Sequence, residues 1–144
     1  MIDEDAVDTY ALRILLESEA LRQSIPLLDA SDIASARGYI QQLENETRHA
    51  EIGRLNRLLH MTLYSKASNR KLLRMIENEL NEEERFLRFH LSSMGLGQLT
   101  QDDHNALVDA ASDKLVDEAV AVLARHLNSG ALVIRNYLDA QRAR

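Results

Sequence analysis

Three histidines and one asparagine have the residue types and the spacing of a metal site. Asn56 and His60 are four residues apart in the segment NRLLH, so they project from one face of a helix. His104 and His126 open and close a longer helix-favouring segment, HNALVDAASDKLVDEAVAVLARH. Zinc and similar divalent cations bind neutral imidazole readily, with an oxygen ligand and open positions for water or an anion. The candidate metal ligands are therefore His60, His104, His126 and Asn56.

The two histidines of the longer segment can share an ion only if the chain reverses between them. In one unbroken helix the 22 positions from His104 to His126 would separate the imidazoles by about 33 Å. Ser112 and Asp113 are typical helix-capping residues, so we expect the chain to turn there. The histidines would then lie on neighbouring antiparallel helices, at heights that differ by about one helical turn.

Spacing alone leaves a second interpretation open. The chain has five histidines, so some pairs will have a suggestive spacing by chance. A single histidine on an apolar helix is more often a hydrogen-bonded, half-buried residue than a ligand. The spacing therefore predicts either a metal site or a set of structural histidines.

Three further groups of residues have a simple structural interpretation. Arg13 and Glu17 have the i, i+4 spacing of an ion pair on a helix surface. His90 follows Phe86 and Phe89 at a spacing that faces the core, where we expect an aromatic cluster. Lining a ligand pocket is the alternative role for His90. We expect the run NELNEEER to be a solvated helix face.

Helices have to position these residues, and the composition favours helices throughout. Only one proline and five glycines occur in 144 residues. Apolar residues recur at steps of three and four, which predicts an all-α, antiparallel bundle of about six or seven helices. The count depends on the segment NSG, where the sixth helix either continues or kinks. The predicted boundaries are a stop at Pro26 and caps at Asp29, Ser31 or Asp32, at Ser68 or Asn69, at Thr100 with Asp103, and at Ser112 or Asp113.

The bulk properties are those of one acidic domain without cysteine. The length predicts a single domain over residues 1–144. A net charge of -6 should repel a phosphate backbone, so we do not expect this chain itself to bind DNA. No apolar run approaches the roughly 20 residues of a membrane-spanning helix, and the absence of cysteine excludes thiolate metal sites. We expect a cytoplasmic protein that makes no contact with a membrane.

Several motifs occur in the order found in a known family. The segment LRILLE at 12–17 matches a first-helix pattern of leucine, arginine, two variable positions, leucine and glutamate. The segment NRLLH, followed by a helical stretch and Asn69, is similar to Asp-x-x-Phe-His with a later asparagine. A closing signature of His, Ala, Ala and His-Leu is matched by His104, Ala110, Ala119, His126 and Leu127. Over nearly its whole length the chain resembles the C-terminal effector-binding (FCD) domain of GntR-family bacterial transcription regulators, in the FadR-like branch.

The resemblance implies a metal centre that binds an effector. In metal-containing members of this family, residues that correspond to the four candidate ligands surround a divalent cation inside a helical bundle. We expect zinc, with nickel or manganese as alternatives. The effectors are commonly small organic acids, whose carboxylate binds the metal and a nearby arginine. Arg13 matches that arginine, and we include His90 as a second candidate effector-binding residue.

Two positions depart from the family pattern. Asn56 replaces the aspartate with a neutral amide, which is a weaker ligand and leaves the full dipositive charge of the ion to attract an anion. Leu59 replaces the phenylalanine, which changes the packing of the cavity and not the ligand set.

The resemblance therefore predicts a ligand-sensing and dimerisation domain that is not an enzyme. It would bind a small carboxylate at the metal and, as a homodimer, control DNA binding by a separate N-terminal winged helix-turn-helix domain, which we expect to be absent from this chain. One alternative is a metal-free helical effector-binding or interaction module. Another is a metal-dependent hydrolase, for which the sequence offers no evident general base.

Overall fold

The computed structural model describes residues 5–90 and 101–143. Within these residues the chain forms six α-helices, one short 3-10 helix and no strand, which confirms the all-α prediction. The helices are α1 (Ala6–Ser24), α2 (Ala30–Asn45), α3 (His49–Tyr64), α4 (Arg70–His90), α5 (Asp102–Ser112) and α6 (Val116–Arg142). No helix in the described part of the chain is both long enough and apolar enough to cross a membrane.

Short connections make consecutive helices neighbours in the bundle. Helix α3 packs against α2 and α4, and α5 packs against α6. Helix α1 packs against α3, α4 and α6, so it lies at the centre of the arrangement. Helices joined by short turns run antiparallel to each other, as the sequence predicted. The contact of α1 with three other helices allows its polar side chains to reach groups that are far away in sequence.

The apolar stripes predicted from the sequence form one core. Leu59, Leu63, Ile76 and Leu80 are at most 1% exposed. Leu59 stands where the family pattern has phenylalanine, and its complete burial shows that the smaller side chain is packed without a route to solvent. Apolar burial of this kind, at about 25 cal/mol per Å², is the main force that holds the helices together.

Two of the predicted helix starts have the expected caps. The Asp29 carboxylate accepts a hydrogen bond from the Asp32 backbone N–H at 2.9 Å, and the Asp32 carboxylate accepts one from the Asp29 N–H at 3.0 Å. This reciprocal capping box begins α2. Asn69 Oδ1 accepts a hydrogen bond from the Leu72 N–H at 3.0 Å and so caps α4. The prediction for α5 involves Thr100, which lies outside the described residues.

The predicted reversal between α5 and α6 is confirmed, but the predicted cap is wrong. Ser112 is the last residue of α5, and Asp113 follows as its C-cap. The residue that precedes α6 is Leu115, which offers no capping side chain. Ser112 or Asp113 was expected to start the next helix, whereas both end the previous one.

Lys114 makes the turn. Its φ of 61° lies in the left-handed region, where glycine is usual. Its N–H donates to the Ala111 carbonyl at 3.1 Å, and the N–H of Leu115 donates to the Ala110 carbonyl at 2.9 Å, which is the Schellman pattern of a helix C-terminus. The Lys114 ammonium also donates to the carbonyl oxygens of Ile25 and Leu28, so its side chain ties the turn to the 3-10 helix Ile25–Leu27 that contains Pro26.

Helix α6 continues through the segment NSG without a break. Gly130 lies in its middle, where a Cβ atom would be 3.5 Å from Cε1 of Tyr10. A small residue therefore lets α1 and α6 approach each other closely. The alternative of a kink, and with it a seventh helix, is excluded for this segment.

Candidate metal centre

Three helices bring the three candidate histidines together. His60 is on α3, His104 is on α5 and His126 is on α6. One ligand nitrogen from each ring lies within 4.8 Å of the others. The ring centroids are 5.3 Å apart for His60 and His104, 5.6 Å for His60 and His126, and 4.9 Å for His104 and His126. We call these three residues the histidine cluster, and the turn at Lys114 is what allows its last two members to meet.

The cluster is almost closed to solvent. His60 and His104 are each 1% exposed, while the side chain of His126 is 27% exposed. Burial lowers the pKa of His60 well below its ordinary value, and the neighbouring histidines lower it further. Burial likewise lowers the pKa of His104 to about 3. Both imidazoles are therefore neutral at pH 7, which is the form that binds a metal ion.

Two of the histidines have Nδ1 bonded to a residue of α5 or its N-terminus. His104 Nδ1 lies 2.8 Å from Gln101 Oε1, and His126 Nδ1 lies 3.1 Å from Asp103 Oδ2. An amide or carboxylate oxygen only accepts, so each Nδ1 carries the proton and donates. In a neutral ring the lone pair is then on Nε2. Bonds of this kind orient the histidine ligands of metal sites.

The residues fit a divalent cation at the point where polar groups lack partners. Nε2 of His60 and Nε2 of His104 are buried and have no hydrogen-bond partner among the described residues. An orphaned buried polar atom costs about 1–3 kcal/mol and is rare in folded proteins. A cation bound between the rings would occupy both lone pairs at once. We therefore regard the histidine cluster as a candidate metal centre.

Asn56 lies close to the cluster, on the same helix as His60, and is 6% exposed. Its side-chain Nδ2 donates to Glu83 Oε1 at 3.0 Å. Because a carboxylate only accepts, the amide nitrogen faces Glu83. This contact ties Asn56 to α4, and its role as an oxygen ligand stays a prediction.

A buried group of charges adjoins the cluster. Arg13 donates to Glu17 Oε2 at 2.7 Å and to Glu83 Oε2 at 2.6 Å, and Tyr10 donates to the same Glu83 oxygen at 2.7 Å. The side chains of Arg13 and Glu17 are 1% and 0% exposed, so the prediction of a surface ion pair is wrong. The pair faces inward because α1 is covered by three other helices. The effector-anchoring role of Arg13 stays a prediction, and its partners here are internal carboxylates.

We call Arg13, Glu17 and Glu83, with their donors Tyr10, Tyr64 and Asn56, the charged network. Burial alone raises the pKa of Glu83, but the charge of Arg13, the hydrogen bonds from Tyr10 and Arg13 and smaller charge effects together outweigh it and hold that pKa below the usual range. One cation and two carboxylates leave this network with a formal charge of -1. The network thus places negative charge beside the histidine cluster, in which His60 and His104 are neutral at pH 7.

Glu83 was not predicted, and the prediction that the run NELNEEER is a solvated helix face is wrong at this residue. Glu83 is 8% exposed, whereas the other polar residues in the run are less buried. It follows Ile76 and Leu80 by seven and three residues and precedes Leu87 by four, so it lies on the apolar stripe of α4. An acidic residue on an apolar stripe was the signal available in the sequence. Tyr64 and Gln101 were also missed.

His90 belongs to a different part of the structure from the histidine cluster. Its Nδ1 lies 3.1 Å from the Tyr137 hydroxyl, and its ring is 4.6 Å from the Phe86 ring. Phe89 is 73% exposed, so the prediction that it joins a core cluster is wrong. The two phenylalanines and His90 line a surface groove of about 220 Å³ between α4 side chains. The effector-binding role of His90 stays a prediction.

Comparison with known proteins agrees with the architecture. Residues 8–129 match the FCD domain family. No curated protein matches the chain. A crystal structure of a transcriptional regulator, a GntR family member from Pseudomonas syringae pv. tomato str. DC3000, is 60% identical and superposes with a TM-score of 0.96. The match covers 99% of this chain and 60% of that regulator, so this chain spans less than two thirds of its length. The chain therefore belongs to the FCD domain family of GntR-type transcription regulators, which are not enzymes.

Proposed function

We propose that the chain is the sensing domain of a GntR-family transcription regulator, with a divalent cation held by the histidine cluster. A small carboxylate would bind at an open position of that ion. Zinc is the expected metal, with nickel or manganese as alternatives, because three neutral imidazoles suit all of these ions. The observation that carries the proposal is the pair of buried Nε2 atoms, of His60 and His104, that have no partner among the described residues.

The charge balance supports an anionic ligand once a cation is bound, because the charge of a dication exceeds the formal charge of -1 on the adjoining charged network. The three histidines add no charge of their own in the neutral form, and Asn56 is a neutral amide. A bound dication would therefore keep its full positive charge inside the bundle, where the low dielectric strengthens its attraction for an anion. Arg13 lies beside this region, and its guanidinium already donates to two carboxylates. We propose the metal as the main anchor of the effector and Arg13 as a secondary contact.

The partners follow from the family. A separate winged helix-turn-helix domain would contact DNA, since this chain has a net charge of -6. A homodimer in the cytoplasm would transmit the effector signal to that domain. The effector must favour one of two conformations to act as a signal, because a ligand shifts an equilibrium only by its differential affinity.

A thermal-shift screen tests the effector. Metal-free and zinc-loaded protein would be heated with a panel of small mono- and dicarboxylates, and with the matching amides as uncharged controls. We expect a carboxylate to stabilise the zinc-loaded protein by RT ln(1 + [L]/Kd), and to have little effect on the metal-free protein. A flat panel with zinc present would contradict the carboxylate part. Equal shifts with and without zinc would instead favour a metal-free effector domain.

A further inference from the structure

Tyr64 is a buried phenol that contacts a candidate metal ligand on one side and a carboxylate on the other. Its hydroxyl lies 3.2 Å from His60 Nδ1 and 2.6 Å from Glu17 Oε1. All three side chains are at most 1% exposed. On α3, Tyr64 follows His60 by about one helical turn, and on α1, Glu17 follows Arg13 by about one turn. The bond between Tyr64 and Glu17 therefore connects these two pairs across the two helices.

The Tyr64 hydroxyl has a single proton, so it can donate a hydrogen bond to only one of its two neighbours, Glu17 or His60. Glu17 is paired with Arg13 at 2.7 Å, and an ionised carboxylate has only acceptor atoms. Tyr64 therefore donates its proton to Glu17, and its oxygen is left as an acceptor on the other side. His60 Nδ1 faces that oxygen, so it has to carry a proton and donate, since two acceptors at this distance would repel each other.

The proton on Nδ1 determines the state of the opposite nitrogen of the His60 ring, Nε2. A neutral imidazole with its proton on Nδ1 has its lone pair on Nε2. Nε2 of His60 is the buried atom without a partner among the described residues. His104 and His126 reach the same tautomer through one direct acceptor each, whereas His60 reaches it through two residues in series.

We propose that Tyr64 and Glu17 are positioning residues, which hold His60 in the Nδ1–H tautomer and fix the orientation of its ring so that Nε2 is presented as a ligand. The purpose of this arrangement rests on the proposed metal function. The tautomer itself does not, because it is set by contacts that exist without an ion.

The chain contains a matched control for this proposal. Tyr10 is also a buried phenol that donates to a buried carboxylate, at 2.7 Å from Glu83. It has no contact with a histidine among its described hydrogen bonds. Tyr64→Phe and Tyr10→Phe each remove one oxygen from a packed ring and take one donor from a buried carboxylate, which in both variants keeps its bond from Arg13. Their effects on general stability should be alike, so a difference at the histidine cluster measures the positioning role.

Two measurements test the proposal. Long-range ¹H–¹⁵N NMR of the metal-free protein reports which nitrogen of each imidazole carries the proton. We expect Nδ1–H for His60 in the wild type and in Tyr10→Phe, and a shift towards Nε2–H in Tyr64→Phe. Zinc affinity, measured by competition with a chelator, should fall about tenfold or more in Tyr64→Phe, as for other residues that orient metal ligands, and stay within about twofold in Tyr10→Phe.

Three outcomes would overturn the proposal: Nε2–H on His60 in the wild type, an unchanged tautomer in Tyr64→Phe, or equal losses of zinc affinity in the two variants. If Tyr64→Phe fails to fold, the wild-type tautomer decides alone. A failure of the proposed metal function would give a different experimental result. A wild type that binds no zinc, with a His60 tautomer that still depends on Tyr64, contradicts the proposed function and supports the positioning role.

Discussion

The histidine cluster and the charged network lie side by side in the bundle and differ in how their polar atoms are satisfied. In the charged network, Arg13 has two carboxylate partners and both carboxylates have further donors. In the cluster, two buried nitrogens face no partner in the described part of the chain. The difference separates two uses of buried polarity. A satisfied network fixes the relative positions of helices, whereas unsatisfied atoms that converge on one point indicate a ligand.

The largest effect should come from disrupting the charged network. Arg13→Met in the metal-free protein leaves Glu17 and Glu83 buried without their cation. We expect the free energy of unfolding, measured with a chemical denaturant, to fall by about 3–5 kcal/mol. Arg37→Met is the control, because Arg37 pairs with Asp109 where both side chains are about half exposed, and should cost at most about 1 kcal/mol. Similar losses in the two variants would show that the buried network is no more important than a surface pair.

The next largest effect should come from binding zinc at the histidine cluster. Zinc at about 100 times its Kd should raise the free energy of unfolding of the wild type by about 2.7 kcal/mol. His104→Ala should lose this increment, because it removes one of the two orphaned nitrogens. His49→Ala is the control, since His49 begins α3 and is not part of the cluster. A zinc effect of the same size in His104→Ala would place the binding elsewhere.

A contact within the charged network, that of Asn56 with Glu83, gives an intermediate effect. Asn56→Asp sets one buried carboxylate against another, since Asn56 Nδ2 is 3.0 Å from Glu83 Oε1. We expect a loss of about 2 kcal/mol in the metal-free protein, within the range for a buried group that loses its partner. The double variant Asn56→Asp with Glu83→Gln should recover most of it. The new amide can donate to the carboxylate introduced at position 56, while its oxygen still accepts from Arg13 and Tyr10, as Glu83 Oε2 does now. Purely additive losses in the double variant would contradict this pairing.

The smallest effect, for each histidine and each pH unit, is a dependence on pH. Burial lowers the folded-state pKa of His60 and of His104, the latter to about 3, from an unfolded value of about 6.5. Their contribution is therefore complete above pH 6.5 and is lost as the pH falls towards the folded pKa. Each histidine should lower the stability of the metal-free protein by about 1.4 kcal/mol per pH unit in that window. His104→Gln should reduce the slope by one such increment, whereas His49→Gln should not. An unchanged slope in His104→Gln would show that its imidazole is not held neutral.

Local sequence was sufficient for the helices and for the reversal that joins His104 to His126. The apolar periodicity marks the helices, and helix geometry requires the turn if the two rings are to meet. The predicted cap at that turn was wrong because Lys114 makes the turn with a left-handed backbone. Its ammonium group donates to the carbonyl oxygens of Ile25 and Leu28, which are distant in sequence. No local rule expects lysine there.

The charged network was beyond local sequence for a related reason. Arg13 and Glu17 were predicted to form a surface pair because i, i+4 spacing is the same on an exposed and on a buried face of a helix. Whether α1 is covered depends on how the other helices pack, which spacing does not reveal. The position of Glu83 on the apolar stripe of α4 was a signal in the sequence. Its partners Arg13 and Asn56, however, are 70 and 27 residues away, which local sequence does not reveal.

The number of divalent ions bound per chain tests the central claim most directly. Elemental analysis would be made on wild-type protein that has never met a nickel column, beside His104→Ala and the control His49→Ala. We predict close to one zinc, nickel or manganese ion per chain in the wild type and in His49→Ala, and close to none in His104→Ala. A wild type without metal, or a metal content unchanged by His104→Ala, would contradict the metal centre.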